Sequence, residues 1–91
     1  MRIKLTVGEI KDLKAALDKY RGRGGFQSLL LHLWYHLDED SGEIELNTVI
    51  SERIHRYAFD YCSASWRRTL RRIFRRTLGA NLDRPFSFQN N

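Results

Sequence analysis

Hydrophobic residues recur along this chain at the three- and four-residue spacing of amphipathic helices, in four separate segments. This spacing predicts helices over about residues 7–20, 26–37, 48–61 and 65–78. Three short segments, Met1–Val7, Glu43–Leu46 and Pro85–Phe88, are candidates for paired strands. The pattern therefore predicts a mainly α fold, a small four-helix bundle with a possible minor two- or three-stranded sheet.

Polar residues indicate where these helices begin and end. Thr6 followed by Glu9 fits a capping box for the first helix. Asn47 or Thr48 can cap the third helix, since both residue types accept hydrogen bonds from the first backbone N–H groups. Gly79 can adopt the left-handed conformation that commonly follows the last turn of a helix, and so we expect it to end the fourth.

The second and third helices carry the stripes of the predicted core. These stripes are Phe26, Leu29, Leu30, Leu33 and Leu37 in the second helix, and Ile50, Ile54, Tyr57, Ala58 and Tyr61 in the third. Trp34 and Trp66 lie near apolar stripes, and we expect both to anchor the core. Leu31, Tyr35 and Phe59 lie opposite the stripes of their helices. Either each helix is packed on both sides, or these three residues form an interface with a second copy or a larger protein.

The fourth helix, SWRRTLRRIFRRTL, contains six arginines and no acidic residue. The whole chain has 16 Lys and Arg and 11 Asp and Glu, so ten basic and eleven acidic residues remain outside this helix. The net charge of +5 is therefore concentrated here. At about 100° per residue, Ile73 and Phe74 fall on an apolar face and the arginines on the opposite face, with Arg67 at the edge.

A polyanion-binding surface explains this arginine face better than ordinary solvation does. Solvated faces usually alternate acidic and basic residues, whereas here arginines stand four residues apart and repel each other. Arg67 and Arg68 also lie in the first turn, where the helix dipole disfavours cations. Arginine suits bidentate phosphate contacts. The predicted nucleic-acid-binding residues are Arg67, Arg68, Arg71, Arg72, Arg75 and Arg76.

The last two helices have the outline of a helix-turn-helix, but the polar residues that read bases are scarce. Only Thr69 and Thr77 stand beside the arginines of the fourth helix. We therefore expect contacts with the phosphates of DNA or RNA, without base readout.

Other residue clusters do not fit a metal site or an active site. In the acidic segment Asp38–Glu45, aligning Gly42 with the EF-hand glycine puts Thr48 where a carboxylate is required. His32 and His36 have the spacing of a helical metal pair but lack the HExxH glutamate. His55 and Cys62 are about 10 Å apart along a helix, too far for a catalytic pair. We expect no cofactor, no metal and no enzymatic activity.

Chain length and cysteine content predict the organisation and the compartment. The 91 residues suffice for one small core, so we expect a single helical domain over residues 1–79 and a C-terminal tail over 80–91. The lone Cys62 cannot form an internal disulfide, and no apolar stretch is long enough to span a membrane. These features favour the cytoplasm and no membrane partner.

Two functional hypotheses follow from these residues. The first is a small basic helical protein that binds nucleic-acid phosphates through the arginine-rich helix. The second is a protein–protein adaptor, a subunit of a nucleoprotein complex or a small inhibitor, which would use the arginine face and the acidic segment against a larger protein.

Overall fold

The computed structural model describes residues 2–22, 24–61 and 63–79. The elements are strand β1 (Arg2–Lys4), helices α1 (Val7–Lys19) and α2 (Gly24–His36), strand β2 (Glu43–Glu45), helix α3 (Thr48–His55), a π-helical segment (Arg56–Asp60) and helix α4 (Ala64–Leu78). Helices make up 71% of the described residues, and the strands form one small antiparallel sheet. The predicted mainly α fold is therefore confirmed. The predicted tail, residues 80–91, lies outside the described residues.

The start of α1 has the predicted capping box. The Thr6 hydroxyl accepts a hydrogen bond from the Glu9 N–H at 3.1 Å, and the Glu9 carboxylate accepts one from the Thr6 N–H at 2.8 Å. Asn47 caps α3 through a 2.8 Å bond from the N–H of Ile50. Each cap satisfies backbone donors that have no partner within the helix, and so fixes the residue at which the helix begins.

Helix α4 begins at Ala64, one residue earlier than the sequence pattern predicted. The capping residue is Ser63, whose hydroxyl accepts a hydrogen bond from the Trp66 N–H at 3.3 Å. Ser65 is therefore inside the first turn, where its side chain is available for a contact with another helix. Gly79 ends α4 as expected, with a φ of 47° and a 2.7 Å hydrogen bond from its N–H to the carbonyl of Arg75.

Strands β1 and β2 pair antiparallel, with Ile3 opposite Ile44 and both side chains buried. The flanking residues Arg2 and Glu45 are also opposite each other and form a 3.3 Å ion pair on the exposed face. Two of the three predicted strand segments thus pair with each other. The third, Pro85–Phe88, lies outside the described residues.

The apolar stripe predicted for the second helix lies in the core, and all five of its residues are buried. Four of them belong to α2, whereas Leu37 follows its last residue and forms a β-bridge with Ile44. Phe26 is the hub of an aromatic cluster, with ring centroids 4.8 Å from Tyr20, 5.5 Å from Tyr57 and 5.1 Å from Trp66. These contacts join α1, α2, the π-helical segment and α4. Trp34 and Trp66 are half-buried and pack against the core, which confirms their predicted role.

The end of the third helix differs from the prediction. The chain leaves α geometry at Arg56, and the Tyr61 N–H bonds to the Arg56 carbonyl five residues earlier at 3.3 Å. A π-helical turn contains more residues than an α-helical turn, so it shifts the angular position of the side chains that follow. Tyr61, predicted to be buried, is consequently 49% exposed, and Tyr57 is only half-buried.

Candidate nucleic-acid interface

Helix α4 presents one apolar face to the core and one arginine face away from it. Leu70, Ile73 and Phe74 are completely buried. Burying three large side chains on one face fixes the rotation of the helix about its axis, and this rotation places the arginines outward. The predicted wheel geometry of α4 is therefore confirmed.

A first polar anchor ties the start of α4 to the end of α1. The Tyr20 hydroxyl makes hydrogen bonds with the hydroxyls of Ser65 and Thr69, the latter at 3.2 Å. Burial raises the pKa of Tyr20, but the hydrogen bonds with the two hydroxyls and the nearby Lys19 ammonium together outweigh burial, so the net pKa lies below its ordinary value. This network leaves Ser65 and Thr69 facing α1 rather than a ligand.

A second polar anchor ties the end of α4 to the start of α1. The Arg76 guanidinium donates to both carboxylate oxygens of Glu9, at 3.0 and 2.8 Å, and also to the carbonyl of Lys4. These hydrogen bonds lower the pKa of Glu9 and raise that of Arg76. Arg76 was predicted to bind nucleic acid with the other five arginines, but in the fold its guanidinium is bound within the protein.

The other five predicted arginines line a single open groove of about 830 Å³ between α4 and the π-helical segment. We name it the arginine groove. It is lined by Ala58, Phe59, Ser63, Ala64, Arg67, Arg68, Arg71, Arg72 and Arg75. Five of these nine lining residues are arginines, and none of the nine is acidic.

The arginines of the groove differ in depth. Arg67 and Arg71 are half-buried, whereas Arg68, Arg72 and Arg75 are exposed. We call the first two the inner arginines and the other three the rim arginines. The inner arginines have less water around them, so an anion that reaches them is attracted more strongly than one at the rim.

Arg67 is held against the aromatic ring of Phe59. Its guanidinium carbon lies 5.1 Å from the Phe59 ring centroid, within the range of a cation–π contact. The Arg67 Nε atom is buried and has no hydrogen-bond partner among the described residues. His55 stacks on the same Phe59 ring at 6.1 Å, and burial lowers the pKa of His55 despite the opposing charge of Asp60. The lowered pKa favours the uncharged form of His55.

No known family model, no curated protein and no solved structure matches this chain. Its function must therefore be inferred from the arginine groove and the surfaces around it. No helix in the described part of the chain is long and apolar enough to cross a membrane. Within the same residues, no group of three or more His, Cys, Asp or Glu is placed to hold a metal ion.

The three residues predicted to form a partner interface do not share one environment. Tyr35 is 86% exposed and Leu31 is 43% exposed, both on α2. Phe59 is half-buried and lines the arginine groove, where it contacts Arg67. Phe59 is therefore better assigned to the groove, while Leu31 and Tyr35 remain the exposed apolar pair of α2.

One wall of the arginine groove was not predicted from the sequence. Ala58, Ser63 and Ala64 line it, and none of these residue types suggests a binding site. Ala58 reaches the groove because the π-helical segment lies beside α4, whereas Ser63 and Ala64 are the cap and the first residue of α4 itself. The small side chains of the two alanines leave space there. No signal in the sequence marks this wall. Only the structure shows the π-helical segment, a feature that is uncommon and occurs frequently at functional sites.

The acidic segment is partly used within the fold. The Asp38 carboxylate accepts a 3.0 Å hydrogen bond from the Asp40 N–H and so shapes the turn before β2. Arg2 lies 4.0 Å from Glu43 and 3.3 Å from Glu45, and all three side chains are well exposed. Such surface ion pairs contribute little to stability. The segment therefore still presents acidic side chains at the surface.

Proposed function

We propose that this protein binds nucleic acid through phosphate contacts made by the arginine groove. The observation that carries the proposal is that five arginines line one groove in which no lining residue is acidic. Arginine presents a planar fork of donors that matches the oxygens of a phosphate group. Nucleic acids supply phosphates at regular spacing, and a row of arginines along a helix can contact several of them at once.

The mutual repulsion of these arginines also favours a polyanionic ligand. Arg67, Arg71 and Arg75 follow one another at intervals of four residues, as do Arg68 and Arg72, so like charges are neighbours on the helix surface. Like charges at this spacing on a helix repel each other. A bound phosphate chain would reverse the sign of these interactions, so binding should also raise the Tm of the protein.

The proposed role is binding rather than catalysis, and the proposed compartment is the cytoplasm. The groove lining includes one hydroxyl, that of Ser63, which already accepts a hydrogen bond from a helix N–H. None of its nine lining residues is a carboxylic acid, a histidine or a cysteine, the usual groups for acid–base or nucleophilic chemistry. A cytoplasmic protein would also keep a single cysteine reduced.

Fluorescence anisotropy with labelled duplex DNA, unpaired DNA and structured RNA at low salt tests this proposal. We expect micromolar or tighter binding that weakens steeply with salt. The variant Arg71→Gln, Arg72→Gln, Arg75→Gln should bind far more weakly. Its matched control is Lys11→Gln, Lys14→Gln, Lys19→Gln, which removes the same charge from exposed positions outside the groove lining. Equal losses in both variants would indicate non-specific attraction instead of a site.

A second candidate function is a protein–protein contact through α2, as an adaptor, a nucleoprotein-complex subunit or a small inhibitor. The observation that favours it is the exposure of Tyr35 and Leu31, two large apolar side chains on the same helix. The partner would be a larger protein or a second copy of the chain. Light scattering, together with a pull-down from the native lysate, tests this candidate without reference to nucleic acid.

A further inference from the structure

We propose that the arginine groove takes one unpaired strand, with its phosphates inward and its bases outward, in preference to a duplex. This inference rests on the proposed function, since it specifies which form of nucleic acid the groove accepts. Its basis is the concave shape of the site and the difference in depth between the inner and the rim arginines.

The shape of the groove disfavours the usual way in which a helix binds duplex DNA. A recognition helix must protrude so that it can enter a major groove about 12 Å wide. The arginine face of α4 is flanked by Ala58 and Phe59 of the π-helical segment, which line the same groove, so it does not stand clear of the rest of the fold. In the proposed mode the nucleic acid therefore enters the groove of the protein, and α4 does not enter a major groove as in a helix-turn-helix protein.

The arginines of the groove are spaced to follow one backbone. All five lie along the single helix α4. From Arg67 to Arg75 this helix rises by about 12 Å, at about 1.5 Å per residue. Over that length the row of arginines can follow one sugar–phosphate backbone.

The depth of the inner arginines distinguishes an unpaired strand from one strand of a duplex. Arg67 and Arg71 are half-buried, with Arg67 packed on Phe59 at one side of the groove. An unpaired strand can bend into the groove and reach them. A duplex is stiff, with a persistence length of about 50 nm, and its bound strand is backed by the complementary strand. A duplex should therefore reach only the rim arginines.

The lining of the groove provides little means to read bases. It contains no asparagine or glutamine, the side chains that pair with adenine, and the Phe59 ring already contacts Arg67 and His55. Stacking of a base on Phe59 would require these contacts to break. We therefore expect the affinity to depend on phosphates alone, so that inorganic polyphosphate competes with the strand and base composition has little effect.

The test is anisotropy with an unpaired oligonucleotide of about 12 residues, measured alone and after annealing to its complement. We expect the wild type to bind the unpaired strand at least about tenfold more tightly, since a charge-assisted contact with an inner arginine has that effect or more. The variant Arg71→Gln removes an inner arginine. Its matched control, Arg72→Gln, removes the adjacent rim arginine with the same loss of charge. Arg71→Gln should weaken the unpaired strand about tenfold and the duplex hardly at all, whereas Arg72→Gln should weaken both.

Three results would overturn the inference. Duplex binding as tight as, or tighter than, that of the unpaired strand would show that the inner arginines do not contact the ligand. A strong dependence on base composition, or failure of polyphosphate to compete, would show that the bases enter the groove. If no oligonucleotide binds at low salt, the proposed function fails and this inference fails with it. Thermal unfolding of both variants checks that each keeps its fold.

Discussion

Arg76 and Glu9, 67 residues apart in sequence, form a bidentate ion pair with N···O distances of 2.8 and 3.0 Å. The same carboxylate accepts the capping-box hydrogen bond from Thr6, so one side chain both starts α1 and holds the end of α4. The Glu9 side chain is only 12% exposed. Arg76 therefore stabilises the orientation of the helix that carries the groove, although its own side chain is 52% exposed.

This ion pair makes stability depend on pH. The hydrogen bond from Arg76 holds the pKa of Glu9 below the ordinary value of 4.5, against an opposing effect of burial. Because the pKa is lower in the folded protein than in the unfolded chain, the ionised carboxylate stabilises the fold. Its contribution is complete above pH 4.5 and is lost as the pH falls through the lowered pKa. We expect Glu9→Gln to lower the Tm at pH 7.

Thermal unfolding of the wild type and Glu9→Gln between pH 7 and pH 3 measures this effect. For a domain of this size, a change of 1 kcal/mol shifts the Tm by about 4–8 °C, so the difference should be easy to resolve. The Tm difference between the wild type and Glu9→Gln should become smaller as the pH falls. The control Glu39→Gln removes a carboxylate from an exposed position of the acidic segment. A Tm difference that stays constant over the whole pH range would contradict the assigned role of the Glu9 carboxylate.

The salt dependence of binding should report the number of arginines in contact with phosphates. If about four groove arginines bind phosphates of an unpaired strand, the plot of log K against log salt should have a slope near −3. The variant Arg71→Gln, Arg72→Gln, Arg75→Gln should reduce the slope by about two units. Arg76→Gln should leave it unchanged, because the Arg76 guanidinium is bound to Glu9. The assignment would be refuted if the triple variant had the same slope as the wild type, or if Arg76→Gln made the slope less steep.

Removing buried side chains of α4 should destabilise the protein far more than removing a rim arginine. Ile73 and Phe74 are completely buried, so truncation to alanine leaves a cavity and should cost roughly 2–5 kcal/mol. This is a large part of the stability of a small domain. Arg72→Ala removes an exposed side chain and should cost little. Urea denaturation of the three variants provides the comparison, and similar small losses in all three would be inconsistent with the packing of α4.

Phe59 should influence binding through Arg67. A cation–π contact of about 0.5–1 kcal/mol keeps the Arg67 guanidinium on the ring, so Phe59→Leu should weaken binding of an unpaired strand by roughly two- to fivefold. Phe59→Tyr retains an aromatic ring and should bind like the wild type. Anisotropy and circular dichroism together separate a loss of affinity from a loss of fold. Equal behaviour of the two variants would show that the ring does not position Arg67.

The exposed pair on α2 provides a test of the partner hypothesis. Leu31→Asp with Tyr35→Asp places charges at positions that are 43% and 86% exposed, so we expect the double variant to remain folded. If the pair forms an interface, the variant should lose an oligomer seen by light scattering or a partner captured from the lysate. Retention of its mass and of every captured partner would rule out that interface.

Several parts of this fold follow from the sequence alone because they depend on neighbours within one or two helical turns. The Thr6–Glu9 capping box and the apolar stripe of the second helix were predicted correctly, and Asn47 is one of the two residues that the sequence offered as the cap of α3. The separation of apolar and arginine faces on α4 was predicted as well. Each depends on residue type and on the spacing of about 3.6 residues per turn, both of which can be read directly from the chain.

Other parts depend on which distant residues meet after the helices pack. The sequence contains six similar arginines, and only the packing of α4 against α1 brings Glu9 to Arg76 and leaves the other five in the groove. The π-helical turn after His55 exposes Tyr61 and brings Phe59 beside Arg67. Local periodicity cannot predict such contacts, because their energies arise between residues far apart in the chain and depend on how the whole core is filled.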